Sequence, residues 1–359
     1  MRNPFPPCLA PKRQALIWTI TLSLTAAPAA AIANAPLLEH FIQPSIAQFR
    51  TALKSFQQSL NQVCLADNPA SATTLESPFA NLLARWSALV PLRFGPLIDQ
   101  NRFERLYFWP DPRGLVQRQS LAFVTGKARI ATTETLADQS VAVQGLPALE
   151  QAIYGDQGIV ASTQHRQPAC AYAQAIVINA IGVAQELEQA WNPQKGFGQQ
   201  FAQPSEQNPV YRTEHEIDSE IVKALAGGLQ FLKELELAPM KGPTAQRALP
   251  QRGPFYRSGN TFSFAQQRVK ALQDLYRHAE FDLPADAQWA QDSFLAELDR
   301  ASKTLSQIDA QKGNSLNAEQ FNQAITLLGL QLGNAYSILV EDIAPALELT
   351  LGFNALDGD

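Results

Sequence analysis

The chain has 359 residues, of which 46% are hydrophobic and 17% are charged, with 33 acidic and 28 basic side chains. This length permits two domains of ordinary size as readily as one large domain. The formal net charge of -5 makes nucleic acid a poor partner, because a phosphate backbone is bound by clustered positive charge. We therefore expect no nucleic-acid partner.

The first 33 residues have the pattern of a secretory signal peptide. Lys12 and Arg13 precede an apolar run at 15–35 that ends in small residues, as signal peptides do. Cleavage after Ala33 fits the small-residue rule, and Cys8 lies before the apolar run, where a lipid-attachment cysteine cannot lie. We predict an exported chain that is not a lipoprotein. No later segment has about 18 continuous apolar residues, so we expect no transmembrane segment after cleavage.

Apolar side chains repeat with helical spacing along most of the remaining chain. The first stripe joins Ile42 to Val63 through steps of three and four residues, and comparable stripes cover 172–191 and 217–232. Such spacing is typical of helices with one buried face. No segment alternates with the period of a strand, so the sequence predicts an all-α fold. Further helices are predicted at about 78–91, 114–125, 262–279, 287–310 and 318–341.

Long helices joined by short connections favour antiparallel neighbours, as in helical bundles. The segment "WNPQKGFGQQFAQPSEQNP" at 191–209 is rich in turn residues and has no apolar period, which is typical of a domain boundary. We predict a signal peptide over 1–33, a four-helix-bundle-like N-terminal domain over 34–197 and a similar C-terminal domain over 198–359.

Cys64 and Cys170 are the only cysteines outside the signal peptide. In an exported chain, two cysteines most economically form one disulfide. Cys64 closes the first predicted helix and Cys170 opens a later one, so antiparallel packing would bring them to the same end of a bundle. Closing the loop between them would stabilise the fold by roughly 4 to 5 kcal/mol.

The sequence lacks the motifs of the common hydrolase and nucleotide sites, which are HExxH, GxSxG, the P-loop and GxGxxG. The ExxH pairs of ferritin-like bundles are absent too, which excludes a four-helix di-iron oxidase. One histidine, His215, has an acidic setting, with Asp218 one turn later. A metal could use that face, but a charged first turn also suits the positive end of a helix dipole, and we favour the second interpretation.

The segment 89–114 combines many arginines with a rigid acidic loop. Asp111 lies between two prolines, each of which fixes φ. Guanidinium groups bind carboxylates and phosphates through paired hydrogen bonds, so one interpretation is an anion-binding cluster beside a fixed carboxylate. The alternative is a stiff connector packed by aromatic rings, with the arginines solvated or paired. The arginines are Arg93, Arg102, Arg105, Arg113 and, just beyond, Arg118, and the aromatic residues are Tyr107, Phe108 and Trp109.

The segment "SVAVQGLPALEQAIYGD" at 140–156 interrupts a helical rhythm at Gly145 and Pro147 and places Glu150 one turn later. Proline inside a long helix kinks it, and glycine permits another segment to approach closely. We favour a kinked helix at the interface between two domains. The alternative is a helix that starts here, with Pro147 in its first turn and Glu150 as a first-turn acid.

Five segments taken together resemble the imelysin-like proteins of bacteria, which are exported helical proteins once classed as peptidases. They are "FGPLIDQNRFERLYFWPDPRG", "GLPALEQAIYGD", "RQPACAYAQAI", "PFYRSGNTF" and the C-terminal "GFNALDGD", in order from about residue 94 to residue 359. The resemblance implies two four-helix-bundle domains, a periplasmic or cell-surface location and a link to iron uptake. It also implies membrane-associated iron-uptake components as partners, and a site between the domains near a motif written GxHxxE.

That motif maps onto Gly145, Pro147 and Glu150, so proline replaces the histidine. Imidazole is the ligand that a transition metal favours, which leaves Glu150 as the one metal ligand of the motif. We expect Glu150 to be buried beside groups from 93–118 or from the tail 353–359, with an arginine as its partner. The predicted ligand-binding residues are Gly145, Pro147, Glu150, Arg93, Asn101, Arg102, Trp109, Asp111, Asn354 and Asp357.

Three functional hypotheses follow from the resemblance and the residues. The first, which we favour, is a non-enzymatic periplasmic protein that binds a small anionic or metal-containing ligand between two bundles, with iron or another divalent metal as the candidate ion. The second is a metal-dependent peptidase, which needs about three protein ligands, an open position for water and a general base. The third is a protein-interaction module that has lost metal binding with the motif histidine.

Overall fold

The structure is a computed structural model, and it describes Met1 and residues 35–66, 74–128, 136–310 and 316–350. Every regular element within these ranges is helical, so the prediction of an all-α fold is confirmed. Asn354 and Asp357, which belong to the predicted site, lie outside the described residues. The predicted signal peptide also lies outside them, apart from Met1.

The predicted apolar stripes correspond to helices whose bounds differ from the predictions by a few residues. The α-helices are α1 (Gln43–Leu65), α2 (Glu76–Ser87), α3 (Arg102–Leu106), α4 (Leu115–Val124), α5 (Leu146–Tyr154), α6 (Arg166–Ala190), α7 (Gly196–Ala202), α8 (Glu214–Gln230), α9 (Thr261–Ala279), α10 (Gln288–Ala310) and α11 (Ala318–Ser337). Helical turns Ala35–Leu37 and Leu38–Ile42 precede α1, Phe231–Leu237 continues α8, and Ile338–Ile343 and Ala344–Ala346 continue α11. The turns Leu38–Ile42, Phe231–Leu237 and Ile338–Ile343 are π-helical.

Local sequence explains where several helices start and which face they bury. Thr213 accepts a hydrogen bond from the backbone N–H of Glu216 at the start of α8. Asn317 and Gln320 form a reciprocal capping box at the start of α11, which satisfies backbone donors that a helix leaves free. In α1 the apolar stripe is completely covered, with Phe49, Leu53, Phe56 and Leu60 all 0% exposed.

The helices pack in two neighbouring groups that share one core. In the first half of the chain, α1 packs against α2 and α6, and α5 packs against α4 and α6. In the second half, α8, α9, α10 and α11 contact one another in a closed ring, which is the neighbour pattern of a four-helix bundle. Helix α2 also contacts α9, and the buried apolar side chains form one continuous cluster. The division into domains over 34–197 and 198–359 stays a prediction.

The predicted boundary segment 191–209 contains ordered, buried structure. Trp191 and Phe201 are 1% and 0% exposed, and their rings pack against Phe94, with centroids 5.7 and 6.2 Å apart. The segment therefore contributes to the core through its aromatic residues, while residues at 194–196 and 205–207 are exposed.

The run Ala318–Ala346 is long and apolar enough to cross a membrane by length and composition, with a mean hydropathy of 1.2. One face of the run is buried, with Leu328, Leu332 and Ala335 0% exposed, whereas Leu327 and Leu330 are 46% and 61% exposed. Core helices of globular domains meet the same criterion when one face is buried. The expectation that no segment spans a membrane after cleavage stays a prediction.

The predicted disulfide is confirmed. Cys64, in the last turn of α1, is bonded to Cys170, in the first turns of α6, with the two Cα atoms 5.8 Å apart. Helices α1 and α6 pack against each other, which brings these two helix ends together as the sequence predicted.

Candidate ligand-binding cleft

The α5 segment starts as a new helix, so the prediction of a kinked helix is wrong. Val141–Val143 form a 3-10 turn, Gly145 has extended backbone with φ -103° and ψ -169°, and α5 begins at Leu146. Pro147 is in the first turn, where its missing N–H would have no helical acceptor. Gly145 is required by packing, because a Cβ atom there would overlap the carbonyl group of Leu106.

Glu150 is buried, with 7% of its surface exposed. Its Oε1 atom accepts two hydrogen bonds from Ser258, from the backbone N–H at 2.8 Å and from the hydroxyl at 2.7 Å. Burial raises the pKa of Glu150 to about 7, although the Ser258 hydrogen bonds and the nearby charge and backbone of Arg257 oppose the increase. Removal from water disfavours the charged carboxylate, and this effect on the pKa is larger than that of the hydrogen bonds and of Arg257.

Glu150 is buried beside polar groups, as predicted, but the described donors do not come from 93–118; the tail 353–359, the other predicted source, lies outside the described residues. The described donors come from residues 257–258. No ion pair joins Glu150 to an arginine within the described part of the chain. A serine N–H and hydroxyl satisfy one carboxylate oxygen in place of the expected guanidinium.

Glu150 lies in a cleft with a volume of about 480 Å³. Four segments line it, and we name them the aromatic wall (residues 109–117), the floor (147–151), the π wall (235–239) and the arginine wall (251–257). Four of the predicted site residues, Trp109, Asp111, Pro147 and Glu150, are therefore brought together around one cavity.

Asp111 and Trp109 line the cleft with polar atoms that already have partners in the protein. The carboxylate of Asp111 accepts the backbone N–H groups of Leu115 and Val116 at 2.8 and 2.9 Å, which caps the start of α4. The indole N–H of Trp109 donates to the carbonyl of Leu235 at 2.9 Å, which ties the aromatic wall to the π wall.

The predicted arginine cluster does not reach the cleft. The guanidinium of Arg93 lies between the rings of Phe103 and Phe231, 4.5 and 4.7 Å from their centroids, and burial lowers its pKa. Arg102 pairs with Glu186 at 2.9 Å and donates to backbone carbonyls. The alternative interpretation, a connector packed by aromatic rings with paired arginines, fits these contacts.

Two other predicted residues also lie outside the cleft lining. Asn101 is exposed and has left-handed backbone with φ 55° immediately before α3. Gly145 lies behind the floor, against the Leu106 carbonyl.

The cleft residues between 251 and 258 are not among the predicted site residues. Arg252, Tyr256 and Arg257 line the cleft and are exposed, and neither arginine forms an ion pair with another described side chain. The signal was present, because 254–262 is the segment "PFYRSGNTF" on which the resemblance partly depends. Its residues, unlike Glu150, belong to no motif that predicts a site, so the sequence alone gives them no role.

The donor set of the cleft fits a bare divalent cation poorly. Both oxygens of Asp111 cap α4, and Glu150 accepts two hydrogen bonds and has a raised pKa. A transition-metal site needs deprotonated ligands, most often with imidazole among them, and the motif histidine is Pro147. Within the described ranges, no three His, Cys, Asp or Glu side chains lie close enough together to hold a metal ion.

The fold and the cleft define an all-helical protein with a buried carboxylate on the floor of a cleft. A family model described as imelysin matches residues 42–337. The chain belongs to the imelysin family, so the resemblance noted in the sequence is confirmed.

Solved structures support the same fold. The chain is similar to an imelysin-like protein from Psychrobacter arcticum 273-4, with 16% identity, a TM-score of 0.71, and 90% of this chain and 97% of the other covered. It is also similar to a candidate iron-regulated protein A precursor from Parabacteroides distasonis ATCC 8503, with 11% identity, a TM-score of 0.62, and 88% and 97% covered. At these identities the likeness shows the fold alone. No curated protein matches the chain.

Proposed function

We propose that the protein is an exported, non-enzymatic binding protein of iron acquisition, and that its cleft holds a metal–anion complex through the anionic part. Membership of the imelysin family and the likeness to an iron-regulated relative support the link to iron. The signal-peptide pattern at 1–33 supports export to the periplasm. Membrane-associated components of iron uptake are the partners that would receive such a ligand.

One observation carries the proposal, namely the contrast between the acids and the bases of the cleft. The carboxylates of Asp111 and Glu150 accept hydrogen bonds from the chain itself. Arg252 and Arg257, on the arginine wall, have no ion-pair partner among the described residues. Guanidinium groups bind carboxylates in paired hydrogen bonds, so a ligand that presents carboxylates would complete the cleft. A metal bound in the cleft would then keep most of its coordination to the anion rather than to the protein.

The same contrast weakens the peptidase alternative. A catalytic metal needs about three protein ligands and an open position for water, whereas the cleft offers one carboxylate that is not used to cap a helix. The third hypothesis, a protein-interaction module that has lost metal binding, is distinguished from ours by its prediction that no metal complex binds. The experiment below separates the three.

The test is calorimetric titration of untagged mature protein with ferric citrate, with citrate alone and with zinc chloride. We expect ferric citrate to bind, and the double variant Arg252→Gln/Arg257→Gln to bind it at least ten-fold more weakly. Arg212→Gln, which removes an exposed guanidinium outside the cleft, is the matched control and should bind as the wild type does.

Three outcomes would contradict the proposal. Unchanged affinity in the double variant would remove the arginine wall from the site. Stoichiometric zinc binding without citrate would favour the peptidase, and no binding of any probe would favour the interaction module. Separately, mass spectrometry of the periplasmic protein should find a chain that begins at Asn34.

A further inference from the structure

A buried ionic cluster lies beside the cleft. Glu236, in the π-helical turn after α8, is 1% exposed, and Arg268, in α9, is 0% exposed. The guanidinium of Arg268 lies 3.1 Å from Oε1 of Glu236, and the hydroxyl of Tyr107 donates to the same oxygen at 2.8 Å. The second oxygen, Oε2, is buried without a hydrogen-bond partner. Replacing a buried ion pair by apolar side chains is often neutral or stabilising, so stability alone does not explain this cluster.

The three residues lie behind the cleft lining and come from, or next to, three segments that form it. Tyr107 precedes the aromatic wall and stacks on Trp109, with ring centroids 6.3 Å apart and planes 14° apart. Glu236 is itself part of the π wall, whose Leu235 carbonyl accepts the Trp109 indole N–H. Arg268 lies in α9, which follows the arginine wall directly along the chain. One carboxylate oxygen, itself outside the cleft lining, therefore joins Tyr107, which stacks on the aromatic wall, to Arg268 of α9.

The ring of Tyr107 also bridges two walls by packing. It stacks on Phe255 of the arginine wall at 5.7 Å with planes 21° apart, and it meets Phe264 of α9 at 5.8 Å. Stacked rings are compatible with a range of offsets and of centroid separations from about 4.5 to 7 Å, so ring packing alone defines the position of Tyr107 loosely. The hydrogen bond to Glu236 fixes the position of Tyr107 along this stack, since hydrogen bonds weaken steeply away from their preferred geometry.

We propose that Tyr107 and Glu236 are positioning residues, which hold the aromatic, π and arginine walls at the separation that the ligand requires. The effect of this pair on ligand affinity rests on the proposed function. The ordering of the walls does not, because it can be measured in the protein without a ligand.

The test uses Tyr107→Phe, which keeps the ring and removes only the hydroxyl. The matched control is Tyr172→Phe, since Tyr172 is also buried, its hydroxyl makes two hydrogen bonds to Ser120 and the Val143 carbonyl, and it is not part of the cleft lining. The readout is hydrogen exchange of the Trp109 indole N–H, measured by NMR of indole-labelled protein and assigned with Trp109→Phe. Exchange of the buried Trp191 indole N–H, whose ring packs against Phe94 and Phe201 and not against Tyr107, is the reference in the same sample.

We expect Tyr107→Phe to accelerate exchange at Trp109 at least ten-fold relative to exchange at Trp191, and Tyr172→Phe to leave this ratio unchanged. We also expect Tyr107→Phe to weaken ferric citrate binding at least ten-fold. If exchange at Trp109 responds as expected but the wild type binds no ferric citrate, the positioning role stands and the proposed function fails.

Several results would overturn the proposal. An unchanged ratio in Tyr107→Phe, or an equal change in Tyr172→Phe, would mean that the hydrogen bond does not order the aromatic wall. Glu236→Gln is measured in the same way: its amide oxygen can still accept the tyrosine hydroxyl while its charge is lost, so the ratio should stay unchanged, and faster exchange at Trp109 would assign the ordering to the ion pair with Arg268 and overturn the proposal. Failure of both variants to fold would make the cluster purely structural.

Discussion

Glu150 should make the stability of the fold depend on pH near neutrality. Burial raises the pKa of Glu150 from 4.5 to about 7, so the folded state binds the proton more tightly than the unfolded state does. Its contribution to stability is therefore fully present below about pH 4.5 and is lost as the pH rises through about 7. At about 1.4 kcal/mol per pH unit, the loss amounts to about 3 kcal/mol.

The substitution Glu150→Gln isolates this contribution. The amide cannot ionise, and its oxygen can still accept the N–H and hydroxyl of Ser258. The unfolding free energy of the variant, minus that of the wild type, should increase by about 3 kcal/mol between about pH 4 and about pH 8.5. Other buried acids, including Glu236, change the wild type and the variant equally, and they cancel in the difference if the sites do not interact.

The measurement is urea unfolding followed by circular dichroism across this pH range. Glu206→Gln, in the exposed loop at 205–207, is the matched control, and its difference from the wild type should stay flat. A flat difference for Glu150→Gln as well would refute the argument that burial of this carboxyl dominates its titration.

Three further predictions concern the disulfide, the start of α5 and catalysis. Replacing Cys64 and Cys170 by Ala should lower the unfolding free energy by roughly 4 to 5 kcal/mol, and an unchanged urea midpoint would contradict this stabilisation. The unreduced mature wild type should contain no free thiol. Gly145→Ala should lower the unfolding free energy by about 1 to 3 kcal/mol, because its Cβ would overlap the backbone of α3. Gly182→Ala, whose Cβ would have no atom within 4 Å, should instead raise it by up to about 1 kcal/mol. Equal effects of the two substitutions would contradict the close approach at Gly145. Purified protein should not cleave unstructured peptides above background, and metal-dependent cleavage that disappears in Glu150→Ala would instead establish a peptidase.

The helices could be predicted from the sequence because their signal is local. The stripe from Ile42 to Val63 repeats at the helical period, and the structure buries that face of α1. The start of α5 could not be predicted in the same way, because Gly145 and Pro147 suit a kink and a first turn equally well. What decides between them is a tertiary contact, the packing of Gly145 against the Leu106 carbonyl, and no residue pattern near 145 records it.

The candidate site was predictable to the extent that its residues lie in unusual segments. Trp109 and Asp111 were found because two prolines and an aromatic run mark their loop. The partner of Glu150 is a serine 108 positions further along the chain, and serine has no pattern that distinguishes such a donor. Arg93 was assigned to a ligand because guanidinium groups bind anions, yet the same planar group also stacks on aromatic rings, which is what Arg93 does.

The aromatic contacts that cross the middle of the chain make the two halves complementary fragments. Phe79 of α2 meets Phe255, and Trp86 and Phe103 connect through Phe231 to the turn after α8. A cut in the exposed loop at 205–207 would leave all of these contacts in place, so the two pieces should stay associated after cleavage. Pieces produced separately would each present large apolar rings to water, which drives association, and mixing them should restore Glu150 to its serine partner.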